Sequence, residues 1–162
     1  MSSSVEAITV LSSDGDEFKI TVSAAKLSKP LNWMLEDVCF SDDCDEVPTI
    51  EVNSKTLVKV IEYCEKHAPR ANSGASDSDA EELKKWDIEF MKMDVKDILF
   101  HILMAANYLH MEGLYDLACQ TAADLMKGMT VSQIRKIFHI KNDFSSEEQE
   151  QLRRQHPGCS FD

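Results

Sequence analysis

The sequence predicts an α+β chain in which strands mix with helices first and only helices follow. Alternating apolar residues flank a Ser-Ser-Asp-Gly turn near the start. Leu57, Val60, Ile61 and Cys64 recur at helical spacing. Thr130 with Gln133, and Ser145 with Glu148, form two capping-box patterns that mark helix starts near the end.

Taken in order, Ile8, Val10 and Leu11 precede the turn, and Phe18, Ile20 and Val22 alternate after it, which reads as a β-hairpin. Ser23 is placed to cap a short helix over residues 24–27, and Pro30 suits the first turn of another reaching Leu35. An acidic loop around Asp42, Asp43, Asp45 and Glu46 leads into residues 49–52, expected as a third strand. Ser54 is the expected cap of the helix that carries Leu57. Residues 71–82 are rich in Ser, Ala, Asp and Glu without apolar periodicity, so they are expected as a flexible acidic loop. Ser73, Ser76 and Ser78 beside acids also offer phosphorylation sites there.

Helices are then expected over 83–91, 94–110 and 113–127, with Gly128 as a natural stop. Thr130 caps a helix carrying Ile134, Ile137 and Phe138 that ends near Ile140. Lys141, Asn142 and Asp143 make a polar turn, and Ser145 caps the last helix, with Glu147 and Glu148 in the first turn where the helix dipole favours negative charge. The organisation is residues 1–70 as the first part of the mixed domain, 71–82 as the loop, 83–126 as its helical remainder and 127–162 as a helical extension. The extension is rich in apolar residues for its size, the mark of an interaction surface.

A net charge of −12 and a pI of 4.8 disfavour phosphate backbones, which are held by Lys and Arg, so nucleic acid is not an expected partner. The 162 residues, 43% of them hydrophobic, suffice for one packed domain with an appendage. No apolar run approaches the roughly 20 residues that cross a bilayer, and the start "MSSSVEAITV" lacks the regions of a signal peptide. The expected location is nucleus and cytoplasm, with no membrane partner.

Five cysteines, Cys39, Cys44, Cys64, Cys119 and Cys159, are expected as reduced thiols. Cys39, Cys44, Cys64 and His67 could be assembled into a zinc site, but the spacing is poor and Cys64 falls on the apolar face of a helix, as a core thiol does. No metal or cofactor is expected. Cys64 with His67 and His101 with His110 are the thiol and imidazole pairs a catalyst would use. Neither adjoins a nucleophile elbow, a Gly-rich phosphate loop or an oxyanion device, so no catalytic residue is assigned.

Several stretches occur together in a distinctive order: "LSSDGDEF" from Leu11, "KVIEYCEKH" from Lys59, "WDIEFMKMD" from Trp86, "AANYL" from Ala105, "DLACQTAADLMKGMT" from Asp116 and "IRKIFHIKNDFSSEE" from Ile134. The chain thereby resembles the S-phase-kinase-associated (Skp-like) adaptors, the F-box-binding subunits of cullin-RING (SCF) ubiquitin ligases. The resemblance implies a BTB/POZ-like domain with a C-terminal F-box-binding extension. It also implies a non-catalytic adaptor that bridges a cullin to F-box proteins and reaches the RING subunit through the cullin.

Carried over by position, the resemblance assigns Asn107 and Tyr108 to the cullin. It assigns Leu114, Tyr115, Cys119, Ala122, Met126, Ile134, Phe138, Ile140 and Phe144 to the F-box. Without it, Tyr108 reads as a core residue whose hydroxyl finds an internal acceptor. The chain departs from the family where Tyr115 replaces a usual Leu and Val131 a usual Pro. It also reads His156, Pro157, Gly158, Cys159, Ser160, Phe161 and Asp162 where a Trp-containing tail is usual. These departures raise a second reading, a diverged BTB/POZ-like interaction protein with altered or lost F-box binding. A third, an elongin-C-like adaptor, fits less well because such chains would end before the helices that follow Thr130.

Overall fold

The computed structural model describes residues 7–36, 47–71, 77–92 and 95–158. The chain divides into two compact units, residues 1–119 and 120–162.

The first unit begins with the hairpin. Strands β1 (Ala7–Leu11) and β2 (Glu17–Thr21) pair antiparallel, with Ile8 opposite Ile20 and Val10 opposite Phe18. Ile8, Val10 and Ile20 are buried, so one hairpin face enters the core as the alternation requires. Gly15 takes φ +88° at the turn, a conformation that costs glycine little. Residues 49–52 do not form the expected third strand. One parallel bridge joins Leu11 to Thr49, and the Val52 N–H then bonds the Ile50 carbonyl at 2.7 Å, a tight turn that moves the next cross-bond, from the Ser13 N–H, to the Val52 carbonyl and breaks the ladder register.

Helix α1 (Val22–Ala25) is capped by Thr21, not Ser23, through the Ala24 N–H. Glu65 explains the shift: its carboxylate accepts from both the N–H and the hydroxyl of Thr21 at 2.9 Å, fixing the end of β2 against α3 (Ser54–Ala71). Asn53, not Ser54, caps α3, accepting from the Thr56 N–H at 2.9 Å. Ser54 instead ties the helix to the hairpin turn. Its N–H donates to Asp14 Oδ1 at 2.8 Å and its hydroxyl to Asp16 Oδ2 at 2.5 Å.

Helix α2 (Lys29–Glu36) starts beside Ser28, whose buried hydroxyl accepts from the Leu31 N–H and donates to the Leu109 carbonyl at 3.0 Å. Leu57, Val60, Tyr63, Cys64 and Ala68 line the buried face of α3. Helix α4 (Asp77–Lys92) begins inside the stretch expected as a loop, so residues 77–82 are helical, with Asp77 and Asp79 favouring the positive end of the dipole. The acidic stretch from Asp42 to Glu46, Ser73 and Ser76 lie outside the described residues. Against α3, α4 sets an aromatic row. Tyr63 stacks on His67 at 3.9 Å, Trp86 stacks on Phe90 at 4.8 Å, and His67 Nε2 meets Asp87 Oδ1 at 2.8 Å.

Helices α5 (Val95–Tyr108) and α6 (Glu112–Met126) bury Leu99, Ile102, Ala105, Ala106, Leu114 and Ala118. Between them His110 has φ +49° and the Met111 N–H bonds the Ala106 carbonyl, a Schellman closure with histidine where glycine is usual.

The second unit holds the end of α6 and two short helices, α7 (Val131–Ile137) and α8 (Ser146–Gln155). Both capping boxes form as the sequence predicts. Thr130 and Gln133 exchange bonds across the start of α7, and Ser145 and Glu148 do so for α8. Helix α7 stops at Ile137, earlier than expected. His139 at φ +53° and an Ile140 N–H to Arg135 carbonyl bond of 2.8 Å make a second Schellman closure.

The polar side chains of Ser54 and then Ser12 beside it, together with the bond from the Ser54 N–H, hold the Asp14 carboxyl down at about 2 from an ordinary 3.8. The unfolded chain therefore binds more protons, so this contribution is complete above the ordinary value and is lost as pH falls toward 2. Urea unfolding of wild type and Asp14→Asn across pH 6 to 2 should show a stability gap that closes on acidification. Replacing the left-handed His110 by glycine should relieve backbone strain and raise unfolding free energy by about 1 kcal/mol in the same assay.

Candidate functional site

The last turn of α5 exposes Asn107 and Tyr108, the latter 44% accessible. They are neighbours in sequence yet serve different clefts, because successive helical residues point about 100° apart. Asn107 lines a cleft of about 330 Å³ with Ala106, His110, Met111, Glu112, Tyr115 and Asp116. Tyr108 lines another of about 260 Å³ whose walls include Val52, Thr56, His101, Met104 and Ala105. The Tyr108 ring is an exposed surface residue, which removes the core alternative for it.

Tyr108 also closes a stripe that the sequence reading missed. Phe100, Met104 and Tyr108 follow one another at four-residue steps on α5 and are 62%, 52% and 44% accessible. The signal was present in the i, i+4, i+8 spacing. It was masked because α5 is apolar on its buried side as well, so periodicity alone does not separate the two faces.

On α6, Tyr115, Cys119, Ala122 and Met126 fall at helical spacing. Tyr115 and Met126 are exposed, and Cys119 and Ala122 are half-buried. Leu114 departs from the expectation. It is fully buried in the first unit and is a core residue, since it lies one position, about 100°, from the accessible Tyr115.

In the second unit Ile134 and Phe138 are half-buried, while Ile140 and Phe144 are exposed. No residue of α7 or α8 is buried. Phe144 is nonetheless held in place: the Arg135 guanidinium lies 5.8 Å above its ring, and Gln149 Nε2 donates to its carbonyl at 3.1 Å. Among the described residues, the two helices and their connection present apolar side chains at the surface and bury none of them fully.

Cys64 and His67 are not arranged for chemistry, and His101 and His110 line different clefts. Cys64 is buried, and desolvation pushes its thiol up to about 12, the reverse of a nucleophile's need. His67, three residues on, is engaged by Asp87 and Tyr63. Cys39, Cys44, Cys159 and Phe161 lie outside the described residues.

Residues 6–69 match the Skp1 family, tetramerisation domain, and residues 112–159 match the Skp1 family, dimerisation domain. The chain is 45% identical over 158 residues to SKP1-like protein 1A of Arabidopsis thaliana, covering 94% of this chain and 96% of that one. It is 46% identical over 162 residues to SKP1-like protein 1 of Oryza sativa subsp. japonica, with 91% of each covered. This chain belongs to the Skp1 family. Its first matched segment is the BTB/POZ-like part of an α+β fold that carries a helical extension. Skp1 family proteins are non-catalytic adaptors of SCF ubiquitin ligases, and the chain is accordingly an adaptor rather than an enzyme.

The contrast between the described thiols is open to direct measurement. Brief alkylation of the folded protein followed by peptide mass mapping should label half-exposed Cys119 and spare Cys64, and urea should abolish the difference.

Proposed function

We propose that the chain bridges a cullin scaffold to F-box substrate receptors, with the RING subunit recruited through the cullin. The observation that carries this reading is the second unit, in which Ile140 and Phe144 stand exposed in the connection between two capped helices that fully bury no residue. Helices of seven and ten residues are marginal in water without tertiary burial, so a partner that covers this surface would supply what the unit lacks. An F-box takes this surface and the α6 stripe of Tyr115, Cys119, Ala122 and Met126. Met126 supplies an adaptable contact for receptors of differing sequence.

The cullin takes Asn107 and Tyr108. Tyr108 offers buried ring area at low rotamer cost, and its hydroxyl keeps a polar contact at the rim. The mechanism is proximity: holding receptor and scaffold on one chain raises the effective concentration of bound substrate at the ubiquitin-charged enzyme, with no bond made or broken by the adaptor.

Size-exclusion chromatography with light scattering, on the full chain co-expressed with a cullin N-terminal domain and F-box domains, tests the reading. A 1:1:1 species is expected. Tyr108→Ala should weaken cullin capture by about tenfold or more and spare F-box capture, and Ile134→Ala/Phe138→Ala should do the reverse. Equal loss in both would mean unfolding or misplaced surfaces. Cullin binding without any F-box partner would favour the diverged interaction protein, a reading that Tyr115 and Val131 keep in view.

A further inference from the structure

A basic cleft lies beside the exposed apolar residues of the second unit. Ser132, Arg135, Lys136, His139, Ile140, Lys141 and Asn142 line a cavity of about 500 Å³. No acidic residue occurs between Ser132 and Asn142, in a chain whose net charge is −12.

No carboxylate among the described residues engages the cations there. Lys127 and Arg154, on either side in sequence, are held to carboxylates at 2.6 and 2.8 Å, whereas Arg135, Lys136 and Lys141 form no ion pair among the described residues. Complementing the negative end of the α7 dipole accounts for Arg135 and Lys136. It does not account for Lys141, which lies past the helix end. Here the Schellman closure satisfies the Arg135 carbonyl, and left-handed His139 reverses the chain, so Lys141 and the last turn of α7 line one cleft.

We infer that this cleft binds an Asp- and Glu-rich peptide segment of the F-box partner, adjoining the part of that partner which covers Ile140 and Phe144. The inference rests on the reading of the second unit as an F-box surface. Charge complementarity selects the occupant: three cations without an ion-pair partner among the described residues line one cleft and attract carboxylates, in a chain that is acidic as a whole. Continuity selects the partner, because Ile140 lines the cleft and Arg135 stacks on Phe144. Receptors would then be ranked by the charge flanking their apolar helices, with apolar contact supplying most of the affinity and the cleft supplying preference.

The full chain, labelled with nitrogen-15, is titrated with deca-glutamate peptide at low salt. Saturable amide shifts confined to residues 132–142 are expected. They should weaken by about fivefold or more in Lys136→Glu/Lys141→Glu, and by less in Lys136→Gln/Lys141→Gln, which guards against a folding defect in the reversed variant. Shifts spread over the whole chain, unchanged by either variant, would overturn the inference, as would equal shifts from inorganic phosphate at the same concentration. A second arm measures an F-box domain with its flanking acids intact or changed to amides. Charge reversal should cost affinity only for the acidic form, and equal loss for both would overturn the proposal. If wild-type chain bound no F-box domain, the adaptor reading would fall, while the peptide titration would still decide whether the cleft binds carboxylates.

Discussion

The corner between α5 and α6 is the constraint on which the first unit's surface depends. Three groups converge there with no room to move. The Ser28 hydroxyl, fully buried, donates to the Leu109 carbonyl and so satisfies an acceptor that the end of α5 would otherwise leave orphaned. Leu109 and Met111 are buried on either side of left-handed His110. Gly113 then passes so near Tyr63 that a Cβ would lie 2.9 Å from its phenol oxygen, so any larger residue there would displace the Tyr63 side chain. Fixing this corner fixes the directions of Asn107 and Tyr108 on one side and of Tyr115 on the other.

The second unit is stabilised on a different principle. Its helices bury no residue, so order comes from their ends: two reciprocal capping boxes, a Schellman closure and the Arg135 stack on Phe144. Each cap contributes about 1 kcal/mol, which is large for helices this short. Local hydrogen bonding pre-arranges apolar side chains that tertiary burial does not use. A partner meeting such a surface does not bear the full ordering cost, which is what pre-organisation contributes to affinity.

Features encoded within four residues were legible in the sequence. Both capping boxes, the hairpin and the α6 stripe follow from side chains that answer nearby backbone groups or recur with the helix. What was not legible depended on partners far along the chain. Thr21 became a cap because Glu65 grips it, and Ser54 was diverted from capping to the hairpin turn by Asp14 and Asp16. Residues 49–52 have strand-like composition, but the turn at Ile50 and Val52 ends their pairing after one bridge. Leu114, assigned to the F-box by resemblance, is fully buried, because burial is settled by the core a residue meets and not by its position next to the α6 stripe. Residues 77–82 lack apolar periodicity, and their helix is carried by Trp86 and Phe90 further along α4.

The two surfaces of the first unit are not independent. Asn107, assigned to the cullin, and Tyr115, assigned to the F-box, line the same cleft, whereas Tyr108 faces the other one. A change at Asn107 can therefore alter the setting of Tyr115 through the walls they share, and its effect on two partners would mix direct contact with displacement. Tyr108 has no such neighbour. Its stripe runs away from the corner through Met104 to Phe100, so the cleanest separation between the two binding events should come from the exposed face of α5 rather than from its last turn. On the proposed assignments, the Tyr in place of Leu at position 115 lies where the two surfaces would meet, since it shares a cleft with Asn107.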